Sequence, residues 1–442
     1  MPTKKTMTQT SHPDFAGFNF TRAMIPASGG AELLEGYRTR AWEAFERLPY
    51  PTTQDEPWRR TDIRGLDGSV MLPGQAACAG LPPVPRALLT PLAGDQPAGQ
   101  ITLLPGGIEK SLNPEIARNG VIFTDIETAA REYPDLLAGA LGQIVKPEDG
   151  KFAALTAALA QNGIIAYVPR GVQIERPLHS VMWAAGAGLA HFSHLIIWVE
   201  DGASLTYVHE AASPYGDKQT LHSGIIEIHV GAGASLRFVE LQSLGRGVWN
   251  FTHERARVQR DGNLDWIFGA IGSRLTKNFS DMDLVGRGAT GRMSGFYFAD
   301  GSQHLDHDTQ QNHLAEHTTS DLLFKGALKG HSRSVWQGMI HVAPVAQKAD
   351  GYQSNRNLIL SENARADSIP GLEILADDVR CTHGATVGKI DPDLLFYLRT
   401  RGISLEEAER LVVEGFFEDI MRRIPFEGVQ DRFRKAIEAK MG

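Results

Sequence analysis

The sequence predicts a mainly β protein: a β-solenoid core with helical regions before and after it. Three observations lead there. From Ile164 to about Asp391, short β-branched or aromatic runs recur: "IIAYVP", "HLIIWVE", "GIIEIHV", "NLDWIF", "DMDLV" and "NLILSE". Between several of them lie similar turns, "EDGASL", "GAGASL", "RDGNLD" and "GRGATG", whose glycines Gly202, Gly233, Gly262 and Gly288 are 31, 29 and 26 residues apart. A drifting period of this size, with no strong helix between strands, is what stacked coils leave in a sequence. Finally, "HLIIWV" is apolar on both faces, as buried parallel strands are. That favours a solenoid over an antiparallel sandwich, which uses similar turns.

Three regions follow, 1–150, 151–393 and 394–442. The first is helical and mixed. Its start, "MPTKKTMTQTSHPD", is polar and reads as frayed. In "AELLEGYRTRAWEAFERLPYP", Leu34, Tyr37, Ala41, Phe45 and Leu48 recur at three- and four-residue steps, one face of a helix stopped by Pro49 and Pro51. The stretch Cys78 to Pro97 is rich in Pro, Ala and Gly and reads as a linker. A helix in "KFAALTAALAQNG" is expected to close on Asn162-Gly163 with a left-handed cap. The solenoid follows, and helices resume near residue 394. Ser404 and Glu407 have capping-box spacing, so a helix is expected through "SLEEAERLVVEGFFEDIMRRI". Its Leu411, Val412, Phe416, Phe417 and Ile420 make a broad apolar surface, Pro425 ends it, and "VQDRFRKAIEAKM" offers one more helix. From the residues alone this surface is a cap on the solenoid before it is a docking face for another protein.

Composition narrows the function. With 44 Lys+Arg against 52 Asp+Glu the net charge is −8, and without a long basic run the footprint of a nucleic-acid binder is missing. No stretch approaches the roughly 20 apolar residues that cross a membrane, nor the apolar core of a secretory signal, so a cytoplasmic protein is expected. Two cysteines, Cys78 and Cys381, cannot build a disulfide framework or a four-thiolate metal site. Walker A and G-x-S-x-G patterns are absent.

Two places carry candidate chemistry. "HLDHDTQQNHLAEH" holds His304, His307, His313 and His317, a weak candidate for metal entry. Its last five residues match the H-x-x-E-H of a metal-dependent hydrolase, which needs His313 and His317 on one helix face with Glu316 as general base. Alternating Asp and His before the motif and Thr-Thr-Ser after it argue for strands and turns instead. In "RCTHGATVGKID", Cys381 and His383 stand two apart, so an extended strand would point both to one face, where thiolate and imidazole suit iron or zinc. Two ligands do not complete a site, and on spacing alone a small buried Cys beside a hydrogen-bonded His is the simpler reading.

The stretch "LADDVRCTHGATVGKIDPDLLFYLRTRGIS", residues 375–404, resembles the SufD family of the SUF iron–sulfur cluster assembly machinery. So do "EPWRRTDI" at 56–63, "FAALTAALAQNGIIAYVPRGV" at 152–172, "DHDTQQNHLAEHTTSDLLFKGAL" at 306–328 and "GISLEEAERLVVEGFFEDI". The resemblance covers most of the chain beyond the first 50 residues and 75–145, and its Cys-Thr-His-Gly-Ala-Thr-Val-Gly segment separates this family from its SufB paralogue. It implies a right-handed parallel β-helix in a non-catalytic scaffold subunit that pairs with SufB and carries the ABC-type ATPase SufC. It further implies a SufC-docking region around 404–424, which reverses the preference for a mere cap. A nascent cluster, or iron shared with SufB, would sit at the junction, with His383 as an imidazole ligand and Cys381 as a second ligand or support. Reduced flavin is linked to the complex without any residue to carry it here. A homodimer when partners are missing and a purely structural β-helix partner remain the alternatives.

Overall fold

The structure, a computed structural model, describes residues 15–74, 78–92 and 96–441. Among them, sixteen strands from Asn162–Val168 to Arg380–Lys389 alternate between two sheets, eight to each. Each strand pairs in parallel with the equivalent strand one coil on: Trp249 with Leu275, 26 residues later, and Arg333 with Arg365, 32 later. The chain is a β-solenoid of about eight coils, with helices at both ends.

One corner explains the drifting glycine period. Gly171, Gly202, Gly233, Asp261, Gly288, His317 and Lys348 all have left-handed φ, between 54° and 73°. Each donates its N–H to a carbonyl one coil further on: those of Asp201, Ala232, Arg260, Arg287, Glu316, Gln347 and Asp378. The corner therefore stacks as a ladder, and glycine, which pays no Cβ penalty there, fills four of its seven places. Gly262 is not one of them; Asp261 is. Gly262 has no side chain for another reason, since a Cβ would lie 3.0 Å from the carbonyl oxygens of Gln259 and Gly231.

Both outer faces of the solenoid are covered, which is why its strands are apolar on both sides. The nine-stranded sheet packs Ile165, Ile196, Ile225, Trp249 and Phe251 against the helix Glu32–Arg47 (Leu34, Tyr37, Phe45), Trp58 and Phe152. The ten-stranded sheet packs Val239, Ile267, Phe296 and Leu323 against the C-terminal helices Leu405–Met421 and Glu427–Met441. Ser404 caps the first of these by accepting from the Glu407 N–H at 3.2 Å, as the spacing predicts.

Two expectations need correction. The helix Lys151–Leu159 ends at Ala160, φ −58°, and Gly163 lies in a strand. Gly163 is required by packing: a Cβ would sit 2.3 Å from Ile126 Cδ1 and 2.9 Å from the His194 carbonyl. The described part of 78–97 is not a free linker. Leu88 is buried with Val181 and Trp183, and Trp183 Nε1 donates to the Pro82 carbonyl at 2.8 Å; residues 93–95 lie outside the described ones. The first region, read as helical and mixed, also contributes strands. Gly99–Leu104 pairs in parallel with Leu178–Trp183, and Ile122–Asp125 pairs antiparallel with Asn162–Val168, so both sheets continue into it.

Candidate functional site

At the first coil the two sheets finish on the short strands Gly107–Leu112 and Ile122–Asp125, and at the last coil on two long ones. Arg365–Ile374 ends the nine-stranded sheet and Arg380–Lys389 ends the ten-stranded one, each hydrogen-bonded to a neighbour on one side only. Two adjacent ten-residue edges therefore present unpaired backbone groups, a ready template for another chain. Cys381 and His383 stand on one of them.

The register fixes their face. Cys381 lies opposite Gly351 and His383 opposite Gln353, so both follow the row that points into the solenoid. With no further coil above, His383 is exposed and Cys381 half-buried. Cys381 borders an apolar patch of Ile340, Val342, Ala346, Ala349 and Ala376. Burial pushes its thiol up, a hydrogen bond from the Gly351 N–H opposes that, and the Asp350 carboxylate adds to the rise. The thiol thus holds its proton at neutral pH.

Glycine at 351 brings a further residue close. A Cβ there would stand 3.2 Å from both Cys381 Sγ and His313 Nε2, so thiol and imidazole face one point. His313 is fully buried, its Nδ1 bonded to Thr318 Oγ1 and its Nε2 to Ser320 Oγ, each at 2.8 Å. The other histidines of the cluster are dispersed. His304 Nε2 meets Thr61 Oγ1 at 2.8 Å on the outer face, His307 is sealed among Phe268, Tyr297 and Phe324, and His317 is an exposed corner residue. His313 ends a strand and His317 has φ 58°, so the helix that H-x-x-E-H chemistry needs does not exist, and the hydrolase reading falls with it. Among the described residues no three His, Cys, Asp or Glu side chains are grouped to hold a metal ion.

The chain resumes after the edge strand as the helix Pro392–Thr400, which buries no residue. Phe396 is 70% exposed and Tyr397 54%, beside exposed Leu394, Leu405 and Leu411. Of the five residues expected to dock a partner, Phe417 and Ile420 are instead in the chain's own core against the ten-stranded sheet. Phe416 and Val412 are half-buried and Leu411 is exposed. The sequence signal for the exposed helix was present in "LLFYL", five apolar residues that go all round a helix and leave no solvent face.

Two family models match the chain: "SUF system FeS cluster assembly, SufBD core domain" over residues 182–416, more than half of it, and "SufBD protein N-terminal region" over 107–179. The chain belongs to the SufBD family. Among SufBD relatives it is 36% identical to the iron–sulfur cluster assembly protein SufD of Bacillus subtilis, over 75% of this chain and 76% of that one. With SufB of the same bacterium it shares 32%, over 72% and 68%, and with a SufBD family protein of Staphylococcus epidermidis also 32%, over 72% and 68%. The higher figure for SufD agrees with the Cys-Thr-His segment, and the SufBD core model spans the whole open end, Cys381 and His383 included. No described helix is long and apolar enough to cross a membrane.

Proposed function

We propose that this chain is the SufD-type scaffold subunit of an iron–sulfur assembly complex, without catalytic activity of its own. It pairs with a SufB-like paralogue along its open end and carries a SufC-like ABC ATPase on its C-terminal helices. The observation that carries this reading is the pair of unpaired edge strands, one of which presents Cys381 and His383. A partner strand added to such an edge gains main-chain hydrogen bonds and brings its own side chains to the same face. The cluster is cargo, and two donors from this chain leave the remaining coordination to the partner. Partial coordination suits release, since a full set of protein thiolates would retain what is assembled. His383, exposed and free to rotate, is the first ligand, and Cys381 on its apolar bed is the second ligand or the support. The exposed Leu394, Phe396 and Tyr397 are the face for the ATPase. Any flavin held by the complex is assigned to no residue here. An edge of this kind can also pair with a second copy of the chain when the paralogue is missing.

The test is to co-express the chain with SufB-like and SufC-like partners, purify the complex without oxygen, and measure iron and acid-labile sulfide after reconstitution. His383→Ala is expected to leave the complex assembled and lower its cluster content at least two-fold. Equal content in both would make His383 structural and remove the ligand role.

A further inference from the structure

Away from the open end, the outer face of the ten-stranded sheet holds a cleft of about 430 Å³. Its floor is a row running across the coils. Thr206 pairs in register with Arg237, Arg237 with Asp265, and Asp265 with Arg292. Hydroxyls and an amide rim it: Ser204, Ser235, Asn263 and Thr290. Both guanidiniums lean on one nearly buried carboxylate. Arg237 Nε donates to Asp265 Oδ2 at 3.2 Å, and Arg292 Nε and Nη2 donate to Oδ1 and Oδ2 at 3.0 and 2.8 Å. Arg237 also lies 5.3 Å over the Phe426 ring.

An alternating charge row on a solenoid can be structure and nothing more. Two features go beyond that. The row is not balanced: Asp321, in register with Arg292 on the next coil, also lies 2.9 Å from Arg423, so three arginines face two aspartates. And three donors, Nη1 and Nη2 of Arg237 and Nη1 of Arg292, find no acceptor among the described residues, while both side chains are nearly two-fifths exposed. Fixed guanidinium forks with spare N–H groups, in a concave site lined by hydroxyls, match the oxygens of a tetrahedral dianion. The volume falls in the range of small-molecule sites and exceeds what a bare ion fills.

We infer that this cleft binds a phosphate-class oxyanion through Arg237 and Arg292, with the Ser/Thr rim placed for a hydroxylated carrier. The site is independent of pairing at the open end, so failure of either proposal leaves the other standing. The experiment is calorimetric titration of the full chain at low salt with inorganic phosphate, ribose 5-phosphate and ribose. At least one phosphate probe is expected to bind with a Kd below about 1 mM and ribose is not. Tighter binding of ribose 5-phosphate than of phosphate would identify a carried phosphate, and equal binding a free one. Arg237→Gln with Arg292→Gln should weaken the bound probe at least ten-fold. Arg237→Gln alone, which removes a single bond to Asp265, should give a partial loss and guards against misfolding of the pair. No binding of either phosphate probe at 10-fold higher concentration, or binding that the substitutions leave unchanged, overturns the site.

Discussion

Single residues hold the N-terminal segment to the solenoid through buried charge. Lys277 is fully buried on the outer face of the nine-stranded sheet, its Nζ 3.0 Å from Asp306 Oδ1, 3.7 Å from Asp308 and 4.7 Å over the Phe279 ring. Asp306, equally buried, accepts from Thr61, and Trp58 of the same "EPWRRTDI" segment packs on Phe152, Phe251 and Phe279. A second anchor is Glu227, whose carboxylate accepts from the backbone N–H groups of Gly142, Ile144 and Val145 and meets His194 Nε2. Removing one member of a buried pair leaves the other charged and unpaired, which costs more than the pair itself contributes. Lys277→Met is therefore expected to lower stability by about 3–5 kcal/mol. The double change Lys277→Met with Asp306→Asn should recover part of the loss, because no unpaired Asp306 charge remains. Urea unfolding of the three proteins decides it: a double variant no more stable than the single one would mean that packing, not charge, accounts for the loss.

Two helices that look alike in sequence have different work at the scale of elements. Leu405–Met421 lies on the sheet through Val413, Phe417 and Ile420, and Lys325 Nζ fixes it by donating to the Phe416 carbonyl and Asp419. Pro392–Thr400 buries no residue of its own. Phe417→Ala should cost about 3–5 kcal/mol, the usual penalty for emptying a buried aromatic site. Phe396→Ser with Tyr397→Ser should leave stability within about 0.5 kcal/mol yet abolish co-purification of the ATPase partner. A double variant that still retains the ATPase would move the docking face elsewhere. The same contrast shows what the sequence could tell. Strand period, corner turns, the Ser404 cap and the strand under Cys381 and His383 are local patterns, and all are legible. That Phe417 turns inward and Phe396 outward depends on which face the sheet covers, a tertiary fact no helical pattern contains. Gly163 and Gly262 misled for a related reason: in each, glycine answers a close approach from a distant residue, whereas the cap or corner that it suggests is a local feature. His313 came near Cys381 only because the coil length sets Gly351 between them.

Across the whole molecule, the solenoid seals titratable groups in numbers that make its stability a function of pH. Burial is the largest cause of lowered pKa in eight histidines: His191, His209 and His307 to about 3, and His222, His229, His253, His304 and His313 to about 4. Unfolded, each titrates near 6.5. Their contribution is complete above that pH and is lost as pH falls, because the unfolded chain takes up protons that the folded one refuses. Buried carboxyls act in the opposite sense. Burial raises Glu240, Glu254 and Asp281, and lifts Asp308 to about 7, so the folded chain holds protons there that the unfolded chain releases. Below about pH 6 the eight histidines take up more protons on unfolding than the four carboxyls can release, so stability falls as the pH falls there. Urea midpoints should be lower at pH 5.5 than at pH 6.5, and a midpoint that holds or rises between the two contradicts the argument. His307 isolates one share of the slope. Its ring lies among three aromatic side chains, and neither nitrogen has a hydrogen-bond partner among the described residues. His307→Leu removes one proton from the uptake and two unmet polar atoms from the core. It should flatten the dependence by about 1.4 kcal/mol per pH unit and keep the chain folded at a lower pH than the parent.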